Sequence, residues 1–406
     1  MAEGLGTLTG TARKGAAKLT DIAGATANNP GRKKPQWMTD KVVMVNVNLA
    51  PTLVMINKVG VKKTVGDALY NHLENDELFL SVTADASAYA SGAVTINLAA
   101  GHGKRITGGD IIKVLRTDEL IYVSAVVGDT LTVTRGYGGT TAAATLASEV
   151  FLMNGSAHAD NANAPESVSS EPNIRQNACQ IFRTALELGG RALNAELYGG
   201  EEWTRCWTDT VNKHRRKKET AYLFNNGRVL TGDNTLTGGF MYWVTTNVFN
   251  NLGATLTETY WQDFGRAFLR RNVGETNLGI MAGELTYKAL AGFMRDGLRF
   301  TPDSEMGGIS CTSYTFDQGT TVKLMRHGLL GPVGSDETAA NKGLQGLSLA
   351  MNFSKTGEAS FSGRTNKMQD DIQTPGQDGL KKGILDDCGF YLNSERCHAI
   401  LQGVNG

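Results

Sequence analysis

The chain has 49 glycines among 406 residues, yet Glu201–Phe224, EEWTRCWTDTVNKHRRKKETAYLF, contains neither glycine nor proline. A run of that length without a breaker predicts one helix, about 35 Å long at 1.5 Å per residue. Trp203, Trp207, Val211 and Tyr222 fall on a broadly common side of it. Glu201 and Glu202 sit in the first turn, where a carboxylate complements the helix dipole. Gly227 follows as a stop signal. Such a helix is the spine of a domain, not the anchor of a loop.

Around this spine there is room for two or three packed modules. Hydrophobic content of 41% and charged content of 20% describe a soluble globular chain. Lys+Arg and Asp+Glu both number 40, so the chain as a whole gives no electrostatic argument for a polyanionic partner. Many glycines with only 8 prolines suggest tight turns, not linkers. The five cysteines (179, 206, 311, 388 and 397) form no CxxC pair, so neither a disulfide framework nor a zinc site is indicated. Buried free thiols in a reducing cytoplasm are the expectation. No apolar core of signal-peptide type and no run of about 18–20 apolar residues is visible, which predicts a soluble product of the cytosol.

Residues 1–41 are poor in large apolar side chains, and Arg13, Lys14, Lys18, Arg32, Lys33, Lys34 and Lys41 outnumber Glu3, Asp21 and Asp40. They read as an extended arm, either solvated or touching a neighbouring subunit or nucleic acid. Residues 42–58, VVMVNVNLAPTLVMINK, are apolar and β-branched and suit a strand. From 93 to 153 short alternating runs (AVTINL, GDIIKVL, ELIYVSAVV, DTLTVTRG, SEVFLM) are separated by Gly/Asp turns, predicting a small β-sandwich or barrel. After the spine, TLTETYWQDFGRAFLRR predicts a helix with a Thr255–Glu258 capping box and an apolar stripe of Tyr260, Phe264, Ala267 and Phe268. LGIMAGELTYKALAGFM reads as strand, turn and helix. SYTFDQGTTVKLMRHGLL reads as a hairpin about Asp317–Gly319, and the last sixty residues carry mixed strands.

GDTLTVTRGYGGTTAAA, Gly128–Ala144, invites a phosphate-loop reading, but it fits neither GxxxxGK[ST] nor GxGxxG and returns to strand within a few residues. Its glycines are expected to allow positive φ. KHRRKK, Lys213–Lys218, is the dense basic run. On a helix Lys213, Arg216 and Lys217 share a side roughly opposite Arg215, giving a solvated face or a contact with nucleic-acid phosphates. The six histidines show no metal-ligand spacing, and no GxSxG is present. Asp370-Asp371 and Asp386-Asp387 read as loop or surface residues. The residues point to no catalytic centre, cofactor or metal, and a structural or binding role is expected in place of an enzyme.

In order along the chain, GDIIKV…LIYVSAVVGDTLTVTRGYGGTTAAA, QIFRTALELGGRA…LYGGEEW with the charged helix behind it, SYTFDQGTTVKLMRH, and ILDDCGFYLNSERCHAILQGV resemble the major capsid proteins of tailed phages with the Hong Kong 97 fold. The branch with a small β-domain inserted in the extended loop is the nearest pattern. The resemblance implies an α+β fold in five parts. These are an N-terminal arm (1–65), an extended loop (66–175) with the β-module at about 93–153, a peripheral domain (176–230) with spine helix 201–224, an axial domain (231–340), and return strands of the peripheral domain (341–406). It implies a subunit that assembles with itself into hexamers and pentamers of an icosahedral shell around double-stranded DNA, made in the host cytoplasm and resident in the virion. Portal, scaffolding and decoration proteins are the further partners it suggests, with no membrane. Basic residues of the arm and Lys213, Arg216 and Lys217 become candidates for DNA-facing or intersubunit contacts, and Arg135 and Tyr137 for contacts made by the module. A tail-tube or decoration subunit, or an enzyme fused to a sugar-active β-module, are the competing readings; the last requires paired carboxylates at a cleft.

Overall fold

The computed structural model describes residues 50–75, 80–161, 163–168, 172–194, 202–293, 300–306, 309–331 and 344–405. The arm, with Arg13, Lys14, Lys18, Arg32, Lys33 and Lys34, lies outside them. Two compact units result, one formed by Leu69–Asn177 and the other by the chain on either side.

In the second unit the breaker-free stretch is a single helix, α3 (Glu202–Phe224). It lies against a five-stranded sheet in the order β1 (Val61–Val65), β17 (Thr356–Phe361), β19 (Gly379–Leu392), β10 (Gln180–Gly189), with β18 (Lys367–Gln369) also on β19. β10 and β19 run antiparallel from Gln180↔Cys388 to Gly189↔Gly379, and a single turn, α2 (Gly190–Asn194), follows β10. Tyr222 of α3 is fully buried between Phe182 and Phe390, with ring centroids 6.3 and 5.5 Å away. Trp203 and Trp207 stack on each other near the other end, at 6.4 Å and 7°.

Two sequence expectations fail in front of this sheet. The described part of 42–58 is a helix, α1 (Pro51–Lys58), not a strand. Pro51 occupies the first turn, where its missing N–H costs nothing, and Thr52, Leu53, Met55 and Ile56 are buried at helical spacing. Packing has overridden the β-branched preference. β1 then pairs in parallel with β17, and Leu53, Met55 and Ile56 of α1 join the core of the unit.

The second sheet has seven strands, in the order β11 (Val248–Asn250), β20 (Ala399–Gln402), β16 (Ser348–Asn352), β12 (Leu278–Ala282), β15 (Thr321–Arg326), β14 (Ile309–Thr315), β13 (Phe300–Met306). Both of its faces are covered. Leu349, Met351 and Ile400 join the cluster that holds Tyr222 and the short helix α4 (Phe240–Trp243). Ala350, Ala399 and Leu401 face the cluster of α5 (Glu258–Leu269) and α6 (Glu284–Phe293). Double coverage explains why β12 and β16 are buried at every residue instead of alternating. The 341–406 stretch is therefore divided. β17, β18 and β19 lie with β10, whereas β16 and β20 pair among strands of the 231–340 stretch, so these residues do not return as one set. The cap of α5 is Thr257, whose hydroxyl accepts from Tyr260 N at 3.3 Å, two residues beyond the predicted Thr255.

The Leu69–Asn177 unit has a two-stranded ribbon, β2 (Leu69–Glu74) with β9 (Asn173–Ala178), and a six-stranded sheet. The sheet runs β3 (Ser81–Thr83), β8 (Val150–Ser156), β5 (Asp110–Val114), β6 (Leu120–Val127), β7 (Thr130–Thr134), β4 (Thr95–Asn97). The Ala84↔Leu98 bridge, with Asp85 N and Ala99 N donating to Asn97 O and Thr83 O at 2.9 Å, joins its two ends into a small closed barrel. Val82, Ile96, Ile112, Ile121, Leu131 and Phe151 fill the interior with no exposed surface.

Candidate functional site

Helix α3 meets the sheet through charges, not through apolar side chains alone. Thr210, His214, Lys218 and Tyr222, spaced by four, form its buried face. His214 Nε2 donates to Asp386 Oδ2 at 3.1 Å, and its Nδ1 meets the Thr184 hydroxyl at 3.0 Å. Lys218 Nζ lies 3.0 Å from Glu358 and 3.5 Å from Asp386 Oδ2. Asn366 N also donates to Asp386. Lys218, Glu358 and Asp386 are each no more than 5% exposed. Burial alone would raise the Asp386 carboxyl, but His214, Lys218 and the Asn366 amide hold it down at about 2. Burial opposes the Lys218 ammonium, yet the facing carboxylates raise its pKa. Any slide of α3 along the sheet would leave these ions buried without each other, at about 3–5 kcal/mol.

A second buried contact ties α3 to α1 and to the residue after β15. Glu219 Oε1 accepts from Thr52 N at 2.9 Å and from His327 Nε2 at 2.6 Å. His327 Nδ1 accepts from Leu329 N at 3.1 Å, which assigns the ring proton to Nε2.

Asp386 and Asp387 thus correct the expectation of a surface pair. Successive strand residues face opposite ways. Asp386 meets the helix, while Asp387 accepts from Arg364 Nε at 2.9 Å. The signal was present in the sequence: ILDDCGFYL sets the acidic pair between apolar residues on both sides.

Of the basic run, Lys213, Arg215, Arg216 and Lys217 are exposed and Lys218 is not. Lys213 pairs with Asp209 at 2.8 Å across one turn. The exposed side carries Lys213, Arg216 and Lys217 together.

The glycine-rich stretch proves to be a cradle for an anion of its own chain. Gly136 and Gly138 take φ of 64° and 66°, and the loop closes over the Glu119 carboxylate. Glu119 has no exposed side-chain surface and accepts from Arg135 Nε (2.8 Å), Arg135 Nη2 (2.7 Å), Gly136 N (3.1 Å) and Ala143 N (3.1 Å). Arg135 donates further to the carbonyls of Ala90 and Ala143. Its side chain is 5% exposed, so Arg135 is not available for the outward contact expected of it. Tyr137 does reach the surface, 37% exposed and stacked on Tyr122 at 5.1 Å. The partner of the loop was hidden from sequence reasoning because it lies on a different strand connection.

Among the described residues, no group of three or more His, Cys, Asp or Glu is placed to hold a metal ion. No helix there is long and apolar enough to cross a membrane. Four of the five cysteines are buried and all are free thiols.

Known proteins share this architecture. A curated relative, the major capsid protein of Pseudomonas phage PaMx41, is 30% identical over 177 residues. That match spans 43% of this chain and only 41% of the relative's length. The solved structure of Gordonia phage Cozz superposes with a TM-score of 0.50 at 11% identity, covering 98% of each chain. That of Mycobacterium phage Bobi gives 0.46 at 8%, over 92% of this chain and 96% of the other. At 11% identity the Cozz likeness speaks for the fold alone, the α+β capsid fold of Hong Kong 97 type. The model of the SU10 major capsid protein family matches residues 19–405, through both units, and the chain belongs to that family.

Proposed function

We propose that this chain is the shell-forming subunit of a tailed double-stranded-DNA phage head, assembling with itself into hexamers and pentamers of an icosahedral capsid. The observation that carries the reading is the use of buried charge around α3. Lys218, His214, Asp386 and Glu358 satisfy one another and fix a shape, which is what an assembly unit requires. In this reading α3 with the five-stranded sheet is the peripheral domain and the seven-stranded sheet is the axial domain. The β2–β9 ribbon, with the barrel, is the extended loop over a neighbour. A two-stranded ribbon is marginal alone in water, and Leu73 and Ile174 on it are 64% and 68% exposed, which suits docking on another copy. Lys213, Arg216 and Lys217, with the basic residues of the arm, neutralise packaged DNA phosphates without reading sequence. The chain is not an enzyme; it uses no cofactor, meets portal, scaffolding or decoration proteins, and ends in the virion after synthesis in the host cytoplasm. Negative-stain electron microscopy of the expressed protein tests this. Shells or ring-shaped capsomers are expected; tubes favour a tail subunit, and dispersed monomers with a measurable turnover overturn the reading.

A further inference from the structure

Seven non-glycine residues among those described have a left-handed backbone. Six are Asp, Asn or Ser, whose short polar side chains tolerate that conformation. The seventh is Leu252, with φ 51°, and its side chain is 86% exposed. Ala254 N donates to Asn251 O at 2.8 Å across Leu252 and Gly253, whose φ is 78°. Two central residues of positive φ are the signature of a type I′ turn, whose first central position is best filled by Asn, Asp or Gly. Here the sequence is Asn-Leu-Gly-Ala, with a bulky leucine where the backbone favours Asn.

The turn is nevertheless rigid. Asn251 N donates to Gln402 O (2.9 Å), Gly253 N to Gly403 O (2.8 Å) and Asn405 N to Ala254 O (2.9 Å), so the C-terminal strand clamps it. Asn250 Oδ1 accepts from Leu252 N at 3.0 Å. A lone exposed leucine is ordinary. A leucine held at a strained backbone, on a clamped turn, with its side chain in solvent, does nothing for its own fold; strain of this kind marks a functional contact.

We propose that Leu252 is an intersubunit peg, seated in an apolar recess of a second copy of this chain on assembly. The inference rests on the shell-subunit reading, in which each copy packs against identical copies. A side chain presented by a pinned turn loses little entropy on docking, which suits an interface anchor.

Leu252→Asn creates the Asn-Gly pair the turn prefers. The dissociated subunit should melt at an unchanged temperature or one raised by roughly 1–2 °C, while the shell yield on sedimentation falls at least tenfold. Leu252→Met keeps an apolar side chain of similar reach and should retain shells. In shells assembled from this chain alone, Leu252→Cys should react with maleimide at least tenfold more slowly than in free subunits, after subtraction of wild-type labelling. A wild-type shell yield from Leu252→Asn overturns the peg. So does equal labelling of Leu252→Cys in shells and subunits, or a lowered melting temperature of the Leu252→Asn subunit. If the wild-type chain assembles nothing, the shell reading itself falls, and the peg with it.

Discussion

Replacing Glu119 by glutamine removes the charge from a carboxylate that has no exposed surface and accepts four hydrogen bonds at 2.7–3.1 Å. The amide keeps one acceptor oxygen and turns an NH2 group towards donors, while Arg135, 5% exposed, loses its counter-charge. Breaking one side of a buried pair costs about 3–5 kcal/mol, and each buried donor left unmade costs about 1–3 kcal/mol. Taking about 4 kcal/mol, at about 1.4 kcal/mol per tenfold, the opening equilibrium of the barrel rises by roughly 10³. A melt reports on the whole chain, so native-state hydrogen exchange read by mass spectrometry, which resolves the barrel from the rest, is the suitable assay. Peptides covering Val123 and Val133 should exchange two to three orders of magnitude faster, with α3 and the seven-stranded sheet unchanged. The double change Glu119→Met with Arg135→Met separates the ion pair from the loop. A buried pair alone can be exchanged for apolar side chains at no loss, but the amides of Gly136 and Ala143 would still lack an acceptor, leaving the barrel about 2 kcal/mol short. Wild-type exchange in Glu119→Gln, or full recovery in the double variant, would refute the cradle. The pH dependence has a fixed sign. Burial alone would raise the Glu119 carboxyl, but Arg135 and the loop amides hold it below 4.5. Its contribution is complete above 4.5 and fades as the pH falls through the depressed value.

Lys218→Met should destabilise the α3 unit by about 3–5 kcal/mol in denaturant, because Asp386 and Glu358 are left facing each other in the interior. With Asp386 at about 2 in the fold and 3.8 without it, the stabilisation at this seam is lost as the pH falls from about 4 to about 2. Tryptophan fluorescence during acid titration follows that loss, and Lys218→Met should shift the transition to higher pH. Thr257→Ala removes the hydroxyl that caps α5 and should cost about 1 kcal/mol, read as faster exchange at the Tyr260 amide and its neighbours. Burial pushes the thiols of Cys179 and Cys388 up to about 12, so iodoacetamide at pH 8 should leave both unmodified until the chain unfolds.

What the sequence made legible were features whose cause is local. Helix α3 follows from a long run without a breaker, and the β14–β15 hairpin from Asp317–Gly319 between two β-rich runs. The glycines of the TRGYGG stretch had to allow positive φ, and they do. Where the cause lies far along the chain, the local reading fails. Glu119 and Arg135 are sixteen residues apart, and the antiparallel pairing of β6 with β7, bulge included, brings one to the other, which no single run of the sequence reveals. Pro51 could start a helix or end a strand, and the burial of Met55 and Ile56 decided between them. The charges beneath α3 are the instructive middle case. Helical period puts His214 and Lys218 on the side of Tyr222, which must be buried if the helix packs at all. A lysine on that side requires carboxylates opposite it, and an acidic pair inside an apolar strand, ILDDCGFYL, is where to seek them. Read together, the two anomalies explain each other. Read singly, as a surface basic run and a surface acidic pair, both mislead. A charge that the local period places inward therefore reports a partner in sequence-distant structure, and Lys218 with Asp386 joins α3 to β19 across 168 residues.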